Sequence, residues 1–382
     1  LDLGFLNNRL NVSFDAYIRD TKDMLMAGKT LPGVYGASSP RMNVADLRTK
    51  GWEASVTWGD SFTLASKPFN YRIMAGIGDN TSKVTKYDNP NRTLTDPYEG
   101  QQLGEIWGYV VDGYFKTDEE ARNYKVDQSF VNQMINASAL DNGLHAGDLK
   151  FVDLDGNNKI EQTTSANDRK DMKVIGNSLP RYNYNFGISA DWYGIDFSVL
   201  FQGIGKQNWY PGAETSMFWG PYSRPYASFI PSDFMSQVWS EENTNAYFPR
   251  PRGYVALGSN RELAVVNTKY LQNLAYCRLK NLSIGYTLPD KWLSKIGFEK
   301  IRVYFSGENL LTFTKLHSDY IDPEQASASN SWKTSKSDAN IYPWAKTPLR
   351  SSPCTTARPL RRPTQMPRPR SSGTTSPTRS SP

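Results

Sequence analysis

RYNYNFGISADWYGIDFSVLFQGIG, residues Arg181 to Gly205, decides how the rest of the chain is read. Its first arm sets Tyr182, Tyr184, Phe186, Ile188, Ala190 and Trp192 on one side and Arg181, Asn183, Asn185, Gly187, Ser189 and Asp191 on the other. Successive side chains of a strand point to opposite faces, so this is a strand with one oily face and one wet face. After a short turn around Tyr193 and Gly194 the pattern resumes, with Ile195, Phe197, Val199 and Phe201 opposed to Asp196, Ser198 and Gln202. Two arms of roughly ten residues, aromatic at their ends, match what an outer-membrane strand pair must cross. A soluble sandwich could write one such hairpin, so the reading depends on repetition.

The repetition is found on both sides. Leu10, Val12, Phe14, Ala16 and Ile18 alternate with Asn11, Ser13, Asp15, Tyr17 and Arg19; Trp52, Ala54, Val56 and Trp58 alternate with Glu53, Ser55 and Thr57. Phe69 to Ile77, Leu282 to Leu288 and Ile301 to Phe305 repeat the motif. Seven strands are expected, at 10–19, 51–58, 69–77, 181–192, 195–204, about 270–288 and 300–312, with Leu1 to Phe5 as the end of an eighth. Their connections alternate in length. Asn7-Asn8, Gly59 to Pro68, Asp191 to Gly194 and Pro289 to Lys300 are short, whereas Thr21 to Lys50, Gly78 to Pro180, Lys206 to Lys269 and the chain from Lys315 onward are long. Antiparallel strands crossing a membrane produce that rhythm when one side carries turns and the other carries large loops.

The long segment from Gly78 to Pro180 exceeds an ordinary loop and must carry substructure of its own. Within it, Leu103 to Phe115 reads as a strand pair or packed loop core, and Thr117 to Ala139 has weak helical spacing. No apolar run approaches the roughly 18 residues of a membrane helix. A barrel spreads its lipid face over alternate residues, so a mean hydropathy of -0.59 is compatible with insertion. The 22 Tyr and 10 Trp among 382 residues suit aromatic girdles, and equally suit an aromatic-rich sandwich or propeller. The net charge of +6 belongs to the end of the chain: residues 348–382 hold seven Arg and no Lys, Asp or Glu, which leaves 37 basic against 38 acidic residues before them. No nucleic-acid partner follows from that balance. Cys277 and Cys354 lie far apart and fit no metal spacing.

Three blocks resemble the C-terminal barrel portion of the SusC/RagA family of TonB-dependent outer-membrane transporters: GDLKFVDLDGNNKI (Gly147 to Ile160), the segment from Lys173 to Lys206, and LKNLSIGYTLPDKWLSKIGFEKIRVYFSGENLLTFTK (Leu279 to Lys315). The resemblance implies an all-β fold, a partial antiparallel transmembrane β-barrel made of the C-terminal strands of a 22-stranded barrel, with long extracellular loops. It also implies an outer-membrane importer of oligosaccharides or peptides, lidded by a SusD-like surface lipoprotein and energised by TonB-ExbB-ExbD through an N-terminal region that this chain does not contain. Opening on Leu1 in mid-pattern fits a fragment. The likeness covers most of residues 1–347. Residues 348–382, with eight Pro, read as a disordered Pro/Arg/Ser-rich tail, either a frame-shifted end or a genuine extension.

Two groups of residues invite a ligand. Asp153, Asp155, Asn157, Lys159 (through its carbonyl) and Glu161 stand at alternate positions of an EF-hand-like loop, with Asp168 as a distant acid, so hard oxygen donors are offered to a Ca²⁺. Asn158 stands where that loop usually has Gly, and a metal-free Asx turn is the alternative. Trp209, Tyr210, Trp219 and Tyr222, within an aromatic group extending to Phe229, could form a stacking platform for a sugar or peptide, or could pack within a large loop. No catalytic residue is assigned: His145 and His317 are isolated, and no Gly-x-Ser-x-Gly or Cys-His pairing occurs. Arg19, Arg72, Arg181, Lys280 and Arg302 fall on the wet face, where they would tune solute passage by charge. The rival readings are another outer-membrane barrel, adhesin or enzyme, and a soluble all-β carbohydrate-binding protein.

Overall fold

The backbone of a computed structural model is organised by one antiparallel sheet. The structure describes residues 1–28, 33–36, 40–132, 143–213, 215–223, 230–252, 256–258, 261–294, 297–328, 347–350 and 354–357. Eight strands form the wall: β1 (Asp2–Phe5), β2 (Leu10–Ala27), β3 (Arg41–Leu64), β4 (Lys67–Lys86), β9 (Arg181–Trp192), β10 (Ile195–Lys206), β13 (Tyr276–Thr287) and β14 (Phe298–Thr314). They pair in that order, each with its sequence neighbour in the wall, and the order does not return on itself among the described residues. All eight correspond to strands expected from periodicity.

Register decides what the two faces hold. One row across the wall reads Leu10, Trp58, Ile73, Ile188, Val199, Leu282, and the next reads Val12, Val56, Ala75, Phe186, Phe201, Leu279. The interleaved row on the other face reads Ser13, Ser55, Gly76, Asn185, Gln202, Arg278. Among the described residues the middle of these apolar rows is left uncovered: Phe186, Ile188 and Ile73 keep 39, 42 and 43% of their surface exposed, and Leu279 at the cap-side end is buried. An uncovered apolar band of this extent, backed by a polar face, needs lipid as its solvent. Toward the short turns the band ends in Phe62, Phe69, Trp192 and Tyr286, at the level of an aromatic girdle. Among the described residues no helix is long and apolar enough to cross a membrane.

Several boundaries differ from expectation. β2, β3 and β4 run for 18, 24 and 20 residues, about twice the apolar span. Past the apolar band the strict alternation fades, and the backbone ladder continues without it. The expected long loop from Thr21 to Lys50 is therefore largely strand. The connection placed at Gly59 to Pro68 shrinks to Ala65 and Ser66, whose positive φ of 48° and 62° match the twist of a tight hairpin, as do Tyr193 and Gly194 at 49° and 84°. Two short strands, β15 (Thr347–Arg350) and β16 (Cys354–Ala357), lie antiparallel along β14, so the expectation of a wholly unpaired tail from residue 348 is corrected for seven of its residues. Pro348 sits in that ladder because an edge strand tolerates proline where the missing N–H would point outward.

The excursions from the long-loop side fold into a cap. The first contributes β5 (Glu105–Tyr109), β6 (Val111–Tyr114), α1 (Asp118–Arg122), β7 (Leu149–Phe151) and β8 (Met172–Asn177). β5 pairs β8 and β6 pairs β7, so of the two readings of Leu103 to Phe115, a strand pair or a packed loop core, its two strands do not pair with each other, while Tyr109 and Phe115 are buried. The helical spacing after Thr117 yields only α1, capped by the Thr117 side chain; residues 133–139 lie outside the described residues. The second adds β11 (Asn208–Trp209), α2 (Ser216–Trp219) and β12 (Gln272–Asn273), the third α4 (Pro323–Ala328), while α3 (Asp290–Leu293) sits in a short-side connection. Phe151, Trp219, Phe248, Tyr270 and Ile321, drawn from all three excursions, share one buried core.

Candidate functional site

The inner face of the wall is polar because alternation leaves it so, and its strands build a cavity of about 350 Å³ lined by Ser13, Asp15, Glu53, Asn80, Asn183 and Asn185. Gly76 and Gly78 contribute no side chain to that lining, which opens the space. Of the five expected wet-face cations, three are paired. Arg181 grips Asp79 with two hydrogen bonds of 2.5 Å, Lys280 reaches Glu324 at 3.0 Å, and Arg302 holds Asp196 at 2.9 and 2.5 Å. The last pair spans the intervening strand β13 by crossing Gly285, where a Cβ would fall 2.5 Å from Asp196 Oδ1 and 2.6 Å from Arg302 Nη2. No ion pair is recorded for Arg19 or Arg72 among the described residues, so these two are the candidates for uncommitted positive charge on the inner wall.

Where the wall meets the cap, a second cavity of about 480 Å³ is lined by Met24, Met26, Leu47, Leu103, Trp107 and Leu179. The register of β2 slips beyond Thr21, at Asp23 with φ of 54°, and this bulge brings Met24 and Met26 to the side of Leu47. Polar groups are few and fixed: Asp46 Oδ1 accepts the Asp23 N–H at 2.8 Å, and Glu105 accepts from the Tyr98 hydroxyl at 2.8 Å and the Gln102 N–H at 2.9 Å. Burial, reinforced by Glu105, pushes the Tyr98 hydroxyl up to about 12. An apolar pocket with a few oriented polar groups is the usual form of a binding site for an organic solute. Reading Thr21 to Lys50 as a loop hid it; the Met24/Met26 pair was the available signal.

The expected aromatic platform is not presented to solvent. Trp209, Trp219 and Tyr222 are 1, 0 and 1% exposed, Tyr210 donates its hydroxyl to Leu263 O at 2.8 Å, and all four belong to the cap core. Packing wins because the loops are long enough to bury their own aromatics against one another. Tyr226 and Phe229 lie outside the described residues. His317 stacks on Tyr247 with centroids 3.5 Å apart and meets Gln237 Oε1 at 2.7 Å, and His145 faces Asp118 at 3.6 Å, so among the described residues neither imidazole is hydrogen-bonded to a Ser, Thr or Cys side chain. Beneath them Asp148 and Glu262 are both fully buried. The Arg252 guanidinium clamps Asp148, which marks Asp148 as the ionised member, and burial followed by the neighbouring Asp148 pushes Glu262 up to about 8.

The acidic loop closes partly as expected. Asp153, Asp155 and Asp171 bring carboxylate oxygens within 4.8 Å of one another, so the third acid is Asp171 rather than Asp168. Asp168 turns back on Ser165, and Glu161 lies beside Lys170 at 3.5 Å. Asp153 accepts the N–H groups of Gly156 and Asn158, each at 2.7 Å, and Asn157 Oδ1 accepts that of Lys159 at 2.8 Å. Asn158 takes φ of 62°, a conformation asparagine tolerates in place of the expected glycine. Although burial opposes it, the N–H groups of Asn158 and Gly156 hold the Asp153 carboxyl below its ordinary value, while burial pushes Asp171 up.

Comparison with known proteins agrees with this geometry. The chain is 29% identical over 339 residues to TonB-dependent receptor P3 of Formosa agariphila, covering 85% of this chain and 30% of that protein. It is 23% identical over 349 residues to TonB-dependent receptor SusC of Bacteroides thetaiotaomicron, covering 91% and 30%. It therefore spans less than a third of the curated relatives it matches. Among solved structures, the RagAB peptide importer in its open-open state superposes with a TM-score of 0.59 at 22% identity, over 84% of this chain and 31% of that one. No protein-family model matches the chain. The resemblance to SusC/RagA-type TonB-dependent receptors and the partial-barrel fold are thus borne out, and these named relatives are receptors and importers rather than enzymes.

Proposed function

We propose that this chain is the cap-bearing part of an outer-membrane, TonB-dependent importer that passes oligosaccharides or peptides inward, working with a SusD-like surface lipoprotein and with TonB-ExbB-ExbD through segments outside this chain. The observation that carries the reading is the wall itself: a sheet whose uncovered face is apolar and whose other face is polar and pocketed. That arrangement is stable only with lipid on one side and water on the other. The cap, folded from the three long excursions, stands where solute and a lid protein would arrive. On this stretch of inner wall three cations are paired, and Arg19 and Arg72 share the face with Asp15 and Glu53, a balance that suits uncharged glycans and mixed-charge peptides better than a strongly anionic cargo.

Expression of the chain with the remainder of its barrel tests this. The product should sediment with outer membranes, resist extraction without detergent, and confer uptake of labelled oligopeptides or oligosaccharides that depends on an intact TonB system. A product that is monodisperse in plain buffer would overturn the reading in favour of a soluble all-β protein. We also propose that Asp153, Asp155 and Asp171 hold a structural Ca²⁺, since their donor set is the hard-oxygen type that ion takes. Its role there would be to tie the Asp153 loop to Asp171, not to act on cargo.

A further inference from the structure

The outward face of the wall changes character abruptly beyond the apolar band on the cap side. Ascending that face, the row of Phe14, Ala54, Ile77 and Tyr184 gives way to Ala16, Trp52 and Asp79, then to Ile18, Lys50 and Thr81, then to Asp20, Arg48 and Lys83. Arg48, Lys50 and Lys83 are exposed, whereas Thr49 and Val84, which alternate with them, are 4 and 6% exposed and face inward. Two hollows lie along this face. The lower, about 370 Å³, is lined by Val12, Ala54, Val56, Ala75, Ile77, Tyr184 and Phe186, with the two alanines making its floor shallow between larger neighbours. The upper, about 530 Å³, is lined by Arg48, Lys50, Thr81, Lys83, Thr85 and Glu99. From Ala54 to Lys50 the strand rises about 13 Å, the reach from the upper acyl chain of a lipid to its headgroup.

We propose that these two hollows hold one phosphorylated lipid of the surrounding leaflet, an acyl chain lying in the lower and its phosphate among Lys50, Lys83 and Arg48 in the upper. The inference rests on the membrane reading above. Charge decides the occupant. Asp20 fixes the Arg48 guanidinium with hydrogen bonds of 2.7 and 2.9 Å, which presents a preset fork, and no ion pair is recorded for Lys50 or Lys83 among the described residues. Cations set just beyond an apolar band attract anionic headgroups. Asp20, Asp79 and Glu99 are the opposing carboxylates; the first is spent on Arg48, the second on Arg181, and the third sits at the rim on the loop side.

The test uses the chain joined to the remainder of its barrel, as above, folded in detergent micelles and in vesicles of either phosphatidylglycerol or phosphatidylcholine, with retained lipid read by native mass spectrometry. The wild type should retain phosphatidylglycerol in preference to phosphatidylcholine. Lys50→Glu with Lys83→Glu should weaken that preference by more than tenfold, at roughly five-fold or more per lysine. Ala54→Trp, which fills the lower hollow, should weaken retention of phosphatidylglycerol while leaving binding of inorganic phosphate unchanged. Equal retention by the charge-reversed variant, or equal affinity of the wild type for the two lipids, overturns the site. The shift of unheated protein on denaturing gels reports barrel folding separately, so a folded variant with no lipid preference refutes this site alone, and a chain that never folds in lipid refutes the membrane reading.

Discussion

Two pairs of phenylalanines in this chain stack at the same 4.7 Å between ring centroids, and they are treated oppositely. Phe186 and Phe201 sit on the wall, where Phe186 is 39% exposed; Phe234 and Phe248 sit in the cap, 4 and 1% exposed. The wall is built with its apolar face outward and its Ser, Asn and Asp inward, while the cap is built as any water-borne domain is. The difference teaches that neither pair is misplaced: each faces the less polar of the two media available to it. It also explains why the buried core lies almost wholly in the excursions.

The largest blow to this contrast should come from the cap. Trp219→Ala removes a fully buried indole and should cost about 3 to 5 kcal/mol of cap stability, with hydrogen exchange speeding up around Phe218 and Phe248 while the ladder between β9 and β10 stays protected. Loss of protection in both regions would mean that wall and cap are one cooperative unit. On the wall, Ile188→Arg should cost about 2 to 4 kcal/mol of folding in lipid vesicles, and Ser189→Arg, one residue on and facing inward, close to nothing. Equal costs by urea titration would erase the distinction between the faces.

A smaller effect is expected from pH. Folded Glu262 keeps its proton up to about 8 whereas the unfolded residue releases it near 4.5, so the folded state binds more protons across that window and cap stability declines as pH rises through it. Glu262→Gln should flatten that decline, as read from melting of the cap between pH 4.5 and 8, with the wall unaffected. The smallest effect is expected from Ca²⁺. Its removal by chelation should lower cap stability by about 1 to 3 kcal/mol, and Asp171→Asn should abolish the difference. A cap indifferent to Ca²⁺ would leave the Asp153 loop as a set of Asx turns.

Legibility followed the physics of each region. On the wall, period-two alternation is imposed by the two media, so Leu10 to Ile18, Trp52 to Trp58 and Tyr182 to Trp192 could be placed from residues alone. Above the membrane that imposition stops, and Met24, Met26 and Arg48 were hidden in what reads as a loop. In the cap, burial depends on partners distant in sequence: Arg252 meets Asp148 across 104 positions, and Asp171 rather than Asp168 closes on Asp153. The aromatics near Trp219 looked alike as platform or core until the other excursions were laid against them.

By itself, then, the sequence determined the crossing strands, their order along the chain and which side chains face lipid, because those follow from a repeat of two residues and from turn chemistry at Tyr193 and Gly194. Only the tertiary structure decided how far β2, β3 and β4 extend, that three separate excursions share one core, and which charges on the inner wall are already paired. Such features depend on contacts between distant segments, and no local pattern of residues encodes a contact whose other half lies a hundred positions away.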